Sequence, residues 1–229
     1  MKRILKLLSI ICVYFVIFFK GNATEKIYSS GDKKIKKIAL TFDDGPNTSS
    51  LSNILDLLKK EKIKASFFFV GNRVVLNKEE VKRAFDEGHL VLNHSYSHSN
   101  FGTATKDKVF SEIENTNSVI KDITGVSPKL YRPPYGIITE NVKKAVSELG
   151  MNIVLWNVDG EDWNKKRTIE QVVSTQEKET KNGSVILMHT QPDKNTSYEA
   201  LLKLIPYYRD KGYEFVKLDE LLDIEAYKN

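Results

Sequence analysis

The sequence predicts a single α/β domain with parallel strands, built either as an open doubly wound sheet or as a barrel, and three observations carry that reading. Strand-like apolar runs recur seven times between residues 35 and 218, amphipathic helical patterns separate most of them, and unusual polar residues gather just after the runs. Strands that alternate with helices are joined by crossovers and therefore lie parallel. Seven such units favour the barrel over the open sheet. With 229 residues and 41% hydrophobic content, the chain can bury one sizeable core and is too short for two domains to be the default.

The chain begins MKRILKLLSIICVYFVIFFKGNA: Lys2, Arg3 and Lys6, an apolar run over 7–19, then small residues at Gly21 and Ala23. This is the layout of a signal peptide. A helix over that run covers about 20 Å, short of a hydrocarbon core of about 30 Å, so cleavage near Thr24 and export is the expectation. Retention as an N-terminal anchor, with membrane association through 4–19, is the alternative. Without 1–23 the count of Lys and Arg falls from 35 to 31 against 30 acidic residues, which removes any charge case for a nucleic-acid partner. The one cysteine, Cys12, lies in that leader, so the mature chain can form neither a disulfide nor a cysteine metal site.

Residues 24–34 read as a short exposed lead-in, and 35–229 as the folded domain. Its runs are IKKIALTF (35–42), ASFFFV (65–70), HLVLN (89–93), KLYR (129–132), NIVLWNV (152–158), SVILMH (184–189) and EFVKL (214–218). Helical spacing appears over 49–60, at Leu51, Ile54, Leu55 and Leu58, and over 106–122, at Val109, Ile113, Val119 and Ile120. Asn77 and Thr139 sit where N-caps belong, and Gly150, Gly183 and Gly212 follow helical stretches as stop signals do. The run KKIKK (33–37) reads as a solvated edge, and Trp156 and the phenylalanines at 67–69 as core.

In parallel α/β folds chemistry collects beyond the C-terminal ends of the strands. The residues in those places are Asp43 and Asp44, His94 and His98, Arg132 with the turn Pro133-Pro134-Tyr135-Gly136, Asp159, Asp162 and Trp163, and His189. Two adjacent carboxylates repel, so a cation or a hydrogen-bond donor must hold them ionised. His94 and His98 stand four apart, which on one helical turn would face both imidazoles to one ion. With Asp44 they make the two-histidine, one-carboxylate set that holds a divalent ion and leaves positions open. Each residue also has a plainer reading: the two histidines as exposed bystanders, His189 as a satisfied core side chain, Arg132 as a surface arginine, and DGEDW as an acidic turn with an aromatic lid. For His89 a structural hydrogen bond is the better reading.

Taken together and in order, TFDDGP, NHSYSH, RPPYG, DGEDW and LMH resemble the five motifs of the polysaccharide deacetylases, carbohydrate esterase family four, over about residues 36–222. Leu92 departs from the glycine usual before Asn93. The resemblance implies a distorted (β/α) barrel of about seven parallel strands with Asp44, His94 and His98 on one divalent ion, usually zinc, with cobalt as the alternative. It implies Asp43 as general base for the attacking water, Arg132 as the partner that keeps Asp43 ionised, and the Tyr135 N–H as an oxyanion donor. His189 would be the general acid for the leaving amine, Asp162 its orienting partner, and Leu187 and Trp163 the walls of an acetyl pocket. The substrate class implied is an N-acetylated glycan, with N-acetylglucosamine of peptidoglycan in front and chitooligosaccharide or acetylxylan behind. A metal-dependent phosphoesterase and an inactive glycan-binding module are the readings from other classes.

Overall fold

The computed structural model describes residues 26–191 and 195–228. The expected leader over 1–23, Cys12 included, lies outside the described residues, as does Thr24 at the head of the lead-in. Strands are β1 (Ile27–Tyr28), β2 (Lys37–Asp44), β3 (Ser66–Phe69), β4 (Leu90–Asn93), β5 (Ser127–Pro128), β6 (Leu130–Tyr131), β7 (Asn152–Val154), β8 (Val158–Asp159), β9 (Val185–Thr190), β10 (Glu214–Phe215) and β11 (Tyr227–Lys228). Helices are α1 (Thr48–Lys60), α2 (Gly71–Leu76), α3 (Lys78–Asp86), α4 (Lys106–Thr124), α5 (Glu140–Glu148), α6 (Ile169–Glu179), α7 (Thr196–Asp210) and α8 (Leu218–Leu222), with a 3-10 turn at Pro134–Gly136. Every run expected as a strand contributes at least one, the run 152–158 gives β7 and the start of β8, and β1 lies in the stretch expected as an exposed lead-in.

The main sheet runs β1-β7-β6-β4-β3-β2-β9-β8, with β10 on the first residues of β2, and its pairings are parallel. β7 and β8 lie six strand spacings apart in that order. On a flat sheet this is about 29 Å. Yet only residues 155–157 separate them in the chain, which reaches about 14 Å from Val154 to Val158. The sheet must therefore curl until its edges meet, and the run 152–158, expected as one strand, is instead the clasp. Its backbone bonds one edge through Leu155 N–H to Tyr28 O at 2.7 Å and the other through Asn157 N–H to Val185 O at 3.2 Å. A continuous strand could join only one edge.

Alternation along β2 sorts the two faces of this sheet. Ile38, Leu40 and Phe42 pack outward with Leu51, Ile54 and Leu55 of α1 and Leu201, Leu204 and Ile205 of α7. Ala39 joins the inner cluster with Phe68, Leu92, Leu130, Val154 and Val185. Thr41 and Asp43 follow Ala39 on that inner face, so the barrel interior is apolar at its floor and becomes polar, then charged, towards the strand ends. Both faces are buried, which is why the strands read as unbroken apolar runs.

The caps explain most helix boundaries. Thr139 accepts from Val142 N–H at 3.2 Å, as the sequence suggested. Asn77 does not cap α3 with its side chain: it ends α2 instead, its backbone N–H and its side-chain amide both donating to Arg73 O, at 3.0 and 2.8 Å. No helix among the described residues is long and apolar enough to cross a membrane.

Gly183 and Gly125 have similar left-handed φ, +77° and +79°, but a Cβ on Gly183 would meet the carbonyl oxygens of Gly31 and Asp32 at 2.7 and 2.8 Å, whereas one on Gly125 meets nothing within 4 Å. Gly125→Ala should lower stability by about 1 kcal/mol, the strain of the backbone alone. Gly183→Ala should lose a further 1–3 kcal/mol, roughly the scale of overpacking. Urea denaturation of the two variants checks the difference.

Candidate active site

The strand ends collect the polar residues in one cleft of about 390 Å³, lined by Asp43, Asp44, His94, His98, Tyr135 and His189 with Trp156, Asp159, Trp163, Leu187 and Gln191. That volume suits a small-molecule site. Arg132 and Asp162 do not line it and stand behind Asp43 and His189.

Arg132 is wholly buried. Its guanidinium donates from Nη1 to Asp43 Oδ1 at 2.7 Å and to Thr41 Oγ1 at 2.9 Å, from Nε to Val154 O at 3.1 Å, and from Nη2 to Leu155 O at 3.0 Å. Phe68 lies 4.2 Å from its charge centre and Trp156 5.6 Å. Burial pushes its pKa down while Asp43 pulls it back up. Arginine stays charged under such opposition. The backbone of the same residue accepts from His94 Nδ1 at 2.7 Å. A carbonyl can only accept, so Nδ1 carries the proton and Nε2 keeps its lone pair for the cleft.

The two histidines do not share a helical turn. Residues 94–98 form a loop in which Ser95 (φ +65°) and His98 (φ +55°) are left-handed, and this reversal brings the rings within 4.9 Å. Ser95 Oγ accepts from His98 N–H at 3.1 Å, and Asn93 Oδ1 from Ser95 N–H at 2.9 Å. Asp44, also left-handed at φ +75°, turns its carboxylate from the strand to within 3.3 Å of His98 Nε2. Of the seven non-glycine residues with positive φ among those described, Asp44, Ser95, His98, Tyr135 and Glu161 belong to the motif loops, where such strain is commonly stored.

Asp44, His94 and His98 each offer a ligand atom within 4.8 Å of the others. Their protonation suits a cation. Burial and the neighbouring His94 push the His98 pKa down despite Asp44 and Asp43, leaving a neutral imidazole at neutral pH. Burial would raise Asp44, but His189, His94, His98 and Arg73 outweigh it and hold the carboxyl below its usual range. Two imidazoles and one carboxylate fit a divalent ion and leave positions free for water and substrate.

Opposite this set, Asp162 grips His189 twice, accepting from its Nδ1 at 2.7 Å and from its backbone N–H at 2.8 Å. Ser197 Oγ hydrogen-bonds the same carboxylate and lies 2.6 Å from His189 O. Burial alone would lower the His189 pKa; the charge and hydrogen bond of Asp162, then Asp43 and Asp44, raise it to about 9. Tyr135 (φ +59°) is 63% exposed and stacks edge-on to His98, with ring centroids 4.8 Å apart. Its N–H has no acceptor among the described residues. Leu187 and Trp163 both line the cleft.

Thr41, Ser197 and Gln191 are not singled out by the sequence; Asp159, placed by it at a strand end without a role, and Trp156, expected as core, both line the cleft. Thr41 was legible in principle, since it shares Asp43's face of β2. Ser197 lies on α7, remote in sequence from every motif, and nothing local marks it. His89, as expected, is structural: its Nδ1 accepts from Ala65 N–H at 3.1 Å, and burial lowers its pKa to about 4.

A curled parallel barrel whose strand ends present a two-histidine, one-carboxylate donor set between an arginine-held aspartate and an aspartate-held histidine is the frame of a glycan deacetylase. The chain belongs to the polysaccharide deacetylase family, whose model matches residues 30–154. It is 38% identical over 194 residues to a peptidoglycan-N-acetylglucosamine deacetylase of Bacillus cereus, covering 84% of this chain and 70% of that one. It is 38% identical over 197 residues to the peptidoglycan-N-acetylmuramic acid deacetylase PdaC of Bacillus subtilis, covering 85% of this chain but 40% of the relative. The crystal structure of the Bc1960 peptidoglycan N-acetylglucosamine deacetylase superposes with a TM-score of 0.85 at 36% identity, over 88% of this chain and 95% of that one.

In the metal-free protein the His189 ring should titrate near pH 9 by NMR, and in Asp162→Asn it should fall to the ordinary value of about 6.5 or below. The folded-state pKa lies above the unfolded one, so this protonation stabilises the fold in full below about pH 6.5 and ceases to do so as pH rises through about 9. The parent should lose on the order of 3 kcal/mol across that window. Asp162→Asn should not.

Proposed function

We propose that this polysaccharide deacetylase is an exported, zinc-dependent enzyme that removes acetyl groups from N-acetylglucosamine in peptidoglycan. The observation that carries the chemistry is the placing of two oppositely tuned pairs, Arg132 with Asp43 and Asp162 with His189, around one donor set. A divalent cation held by Asp44, His94 and His98 would acidify a water and polarise the acetyl carbonyl. Asp43, aimed by the hydrogen bond its Oδ1 accepts from Arg132 Nη1, takes the proton from that attacking water. The Tyr135 N–H donates to the oxygen that gains charge as the carbonyl carbon becomes tetrahedral. Leu187 and Trp163 enclose the acetyl methyl. An amine leaves poorly without a proton, and His189 donates one from Nε2 while its Nδ1–H stays with Asp162. Acetate and a free amino sugar result.

The relatives support a peptidoglycan substrate, with N-acetylmuramic acid as the second candidate because PdaC bears that name. Chitooligosaccharide and acetylxylan stand behind these. The leader layout supports export. A phosphoesterase with two metal ions would need a second donor group, and one such group is found among the described residues. An inactive binding module would have no use for a histidine held protonated opposite a buried aspartate.

Acetate release from purified peptidoglycan, chitooligosaccharides and acetylxylan tests this reading: release from peptidoglycan, abolished by chelation and restored by zinc, is expected, and full activity in metal-stripped protein overturns it. The paired aspartates should separate. Asp44→Asn should lose metal affinity and regain part of its activity in excess zinc. Asp43→Asn should keep its metal yet lose about 100-fold or more in turnover, the scale of a positioned general base, without rescue by zinc. Metal content measured beside turnover in both variants checks the assignment.

A further inference from the structure

The two histidines of the donor set are held very differently. A ligating imidazole usually donates its second nitrogen to a fixed acceptor, which sets the ring's orientation. His94 does so to Arg132 O at 2.7 Å. For the His98 ring no such acceptor is found among the described residues; Asp44 lies 3.3 Å from its Nε2, on the side of the proposed ion. His98 must therefore be aimed by its backbone, and that backbone is strained, with φ of +65° at Ser95 and +55° at His98. Left-handed residues with a side chain persist only where their surroundings over-determine them.

What over-determines this loop is a carboxylate outside every motif. Glu112, on α4 and 4% exposed, accepts from Tyr96 N–H at 3.0 Å and Ser97 N–H at 2.8 Å through Oε2. The Ser97 hydroxyl lies 2.8 Å from Oε1 and 3.0 Å from Oε2, and Lys108 Nζ is 2.8 Å from Oε1. On the other side, the N–H groups of Gly71 and Asn72 bond Ser95 O and Tyr96 O, both at 2.9 Å. The loop between the two histidines is thus clamped, and among the described residues Glu112 is the only side chain that gathers two successive N–H groups of it, both on one oxygen. A charged carboxylate is the strong acceptor for such convergent donors.

We propose that Glu112 is a positioning residue for the metal site: by pinning the backbone of Tyr96 and Ser97 it sets the direction of His98, and so the affinity and geometry with which the ion is held. This rests on the reading of Asp44, His94 and His98 as ligands. Zinc affinity by competition with a chromophoric chelator, and the visible spectrum of the cobalt(II)-loaded protein, measure it without reference to activity. The parent should bind one zinc. Glu112→Ala should bind about 10- to 100-fold more weakly, the scale for losing a residue that orients a ligand, with an altered cobalt spectrum. Glu112→Gln keeps the shape and one oxygen for the two N–H groups, but it carries no charge and sets an NH2 donor against Lys108 Nζ and the Ser97 hydroxyl where Oε1 accepted, and should lose about tenfold, between alanine and parent. Gly125→Ala, which strains the far end of α4 without touching the loop, controls for general destabilisation and should keep the parent's affinity and spectrum. If Glu112→Ala does not fold, Glu112→Gln decides. Parental affinity and spectrum in Glu112→Gln, or an equal loss in Gly125→Ala, overturns the proposal. A parent that binds no zinc overturns the ligand reading itself, and the positioning role falls with it.

Discussion

The buried pair of Arg132 and Asp43 is the constraint on which the rest of the structure depends. A guanidinium with no exposure is tolerable only if its donors are met, and here they are met by Asp43 and Thr41 of β2 and by the carbonyls of Val154 and Leu155. Those two carbonyls belong to the stretch that leaves one edge of the sheet for the other. The arginine satisfies them at the point where the ladder is broken. Its own carbonyl fixes His94. Barrel closure, the direction of the proposed base and the tautomer of one proposed ligand therefore hang on a single side chain and its backbone. Buried ion pairs seldom stabilise a fold beyond what apolar residues of similar shape would, so the geometry it imposes is the better account of its presence.

The same frame explains how two neighbouring aspartates serve different partners. Strand alternation places Asp43 on the inner face, in line with Thr41 and towards Arg132. The next residue would point out among the helices if the strand continued. Instead Asp44 adopts φ +75° and its carboxylate swings over the strand end towards His98. Repulsion between the two is met separately, by a guanidinium on one side and by imidazoles, with the cation proposed there, on the other.

Seven of the eleven strands, the parallel sense and the gathering of polar residues at strand ends were legible in the sequence because both faces of the sheet are buried and the runs are largely apolar, whereas the remaining strands are two residues each, too short to carry a pattern. Three features were not. The run 152–158 has the hydrophobicity of one strand, and only the order of the whole sheet reveals that its middle crosses a gap. His94 and His98 have helical spacing, but left-handed backbone at Ser95 and His98 meets the same end by another route, and neither residue is a glycine that would announce it. Asn77 stands between two abutting helices, and sequence alone does not say which of them its side chain serves. Glu112 and Ser197 share a further reason: each acts on a motif from a helix far away in the chain, and a buried polar residue on an amphipathic helix carries no local mark of what it faces.

Asp43 and His189 are direct partners in the register between β2 and β9, yet their surroundings prepare them for opposite tasks. Asp43 Oδ1 is met by a permanent cation, the Arg132 guanidinium. His189 Nδ1 is met by a buried anion, which favours its charged, proton-donating form. Each of the two side chains is thus held by a partner just behind it, outside the cleft, so in the proposed reaction substrate can approach without displacing that partner. The pairs also respond differently to pH. Arginine does not titrate in the working range, whereas His189 loses its proton as pH rises through about 9. For the proposed amide hydrolysis that is the favourable direction, because the step most in need of help is departure of the amine, and a histidine held protonated up to about pH 9 would be available to serve it.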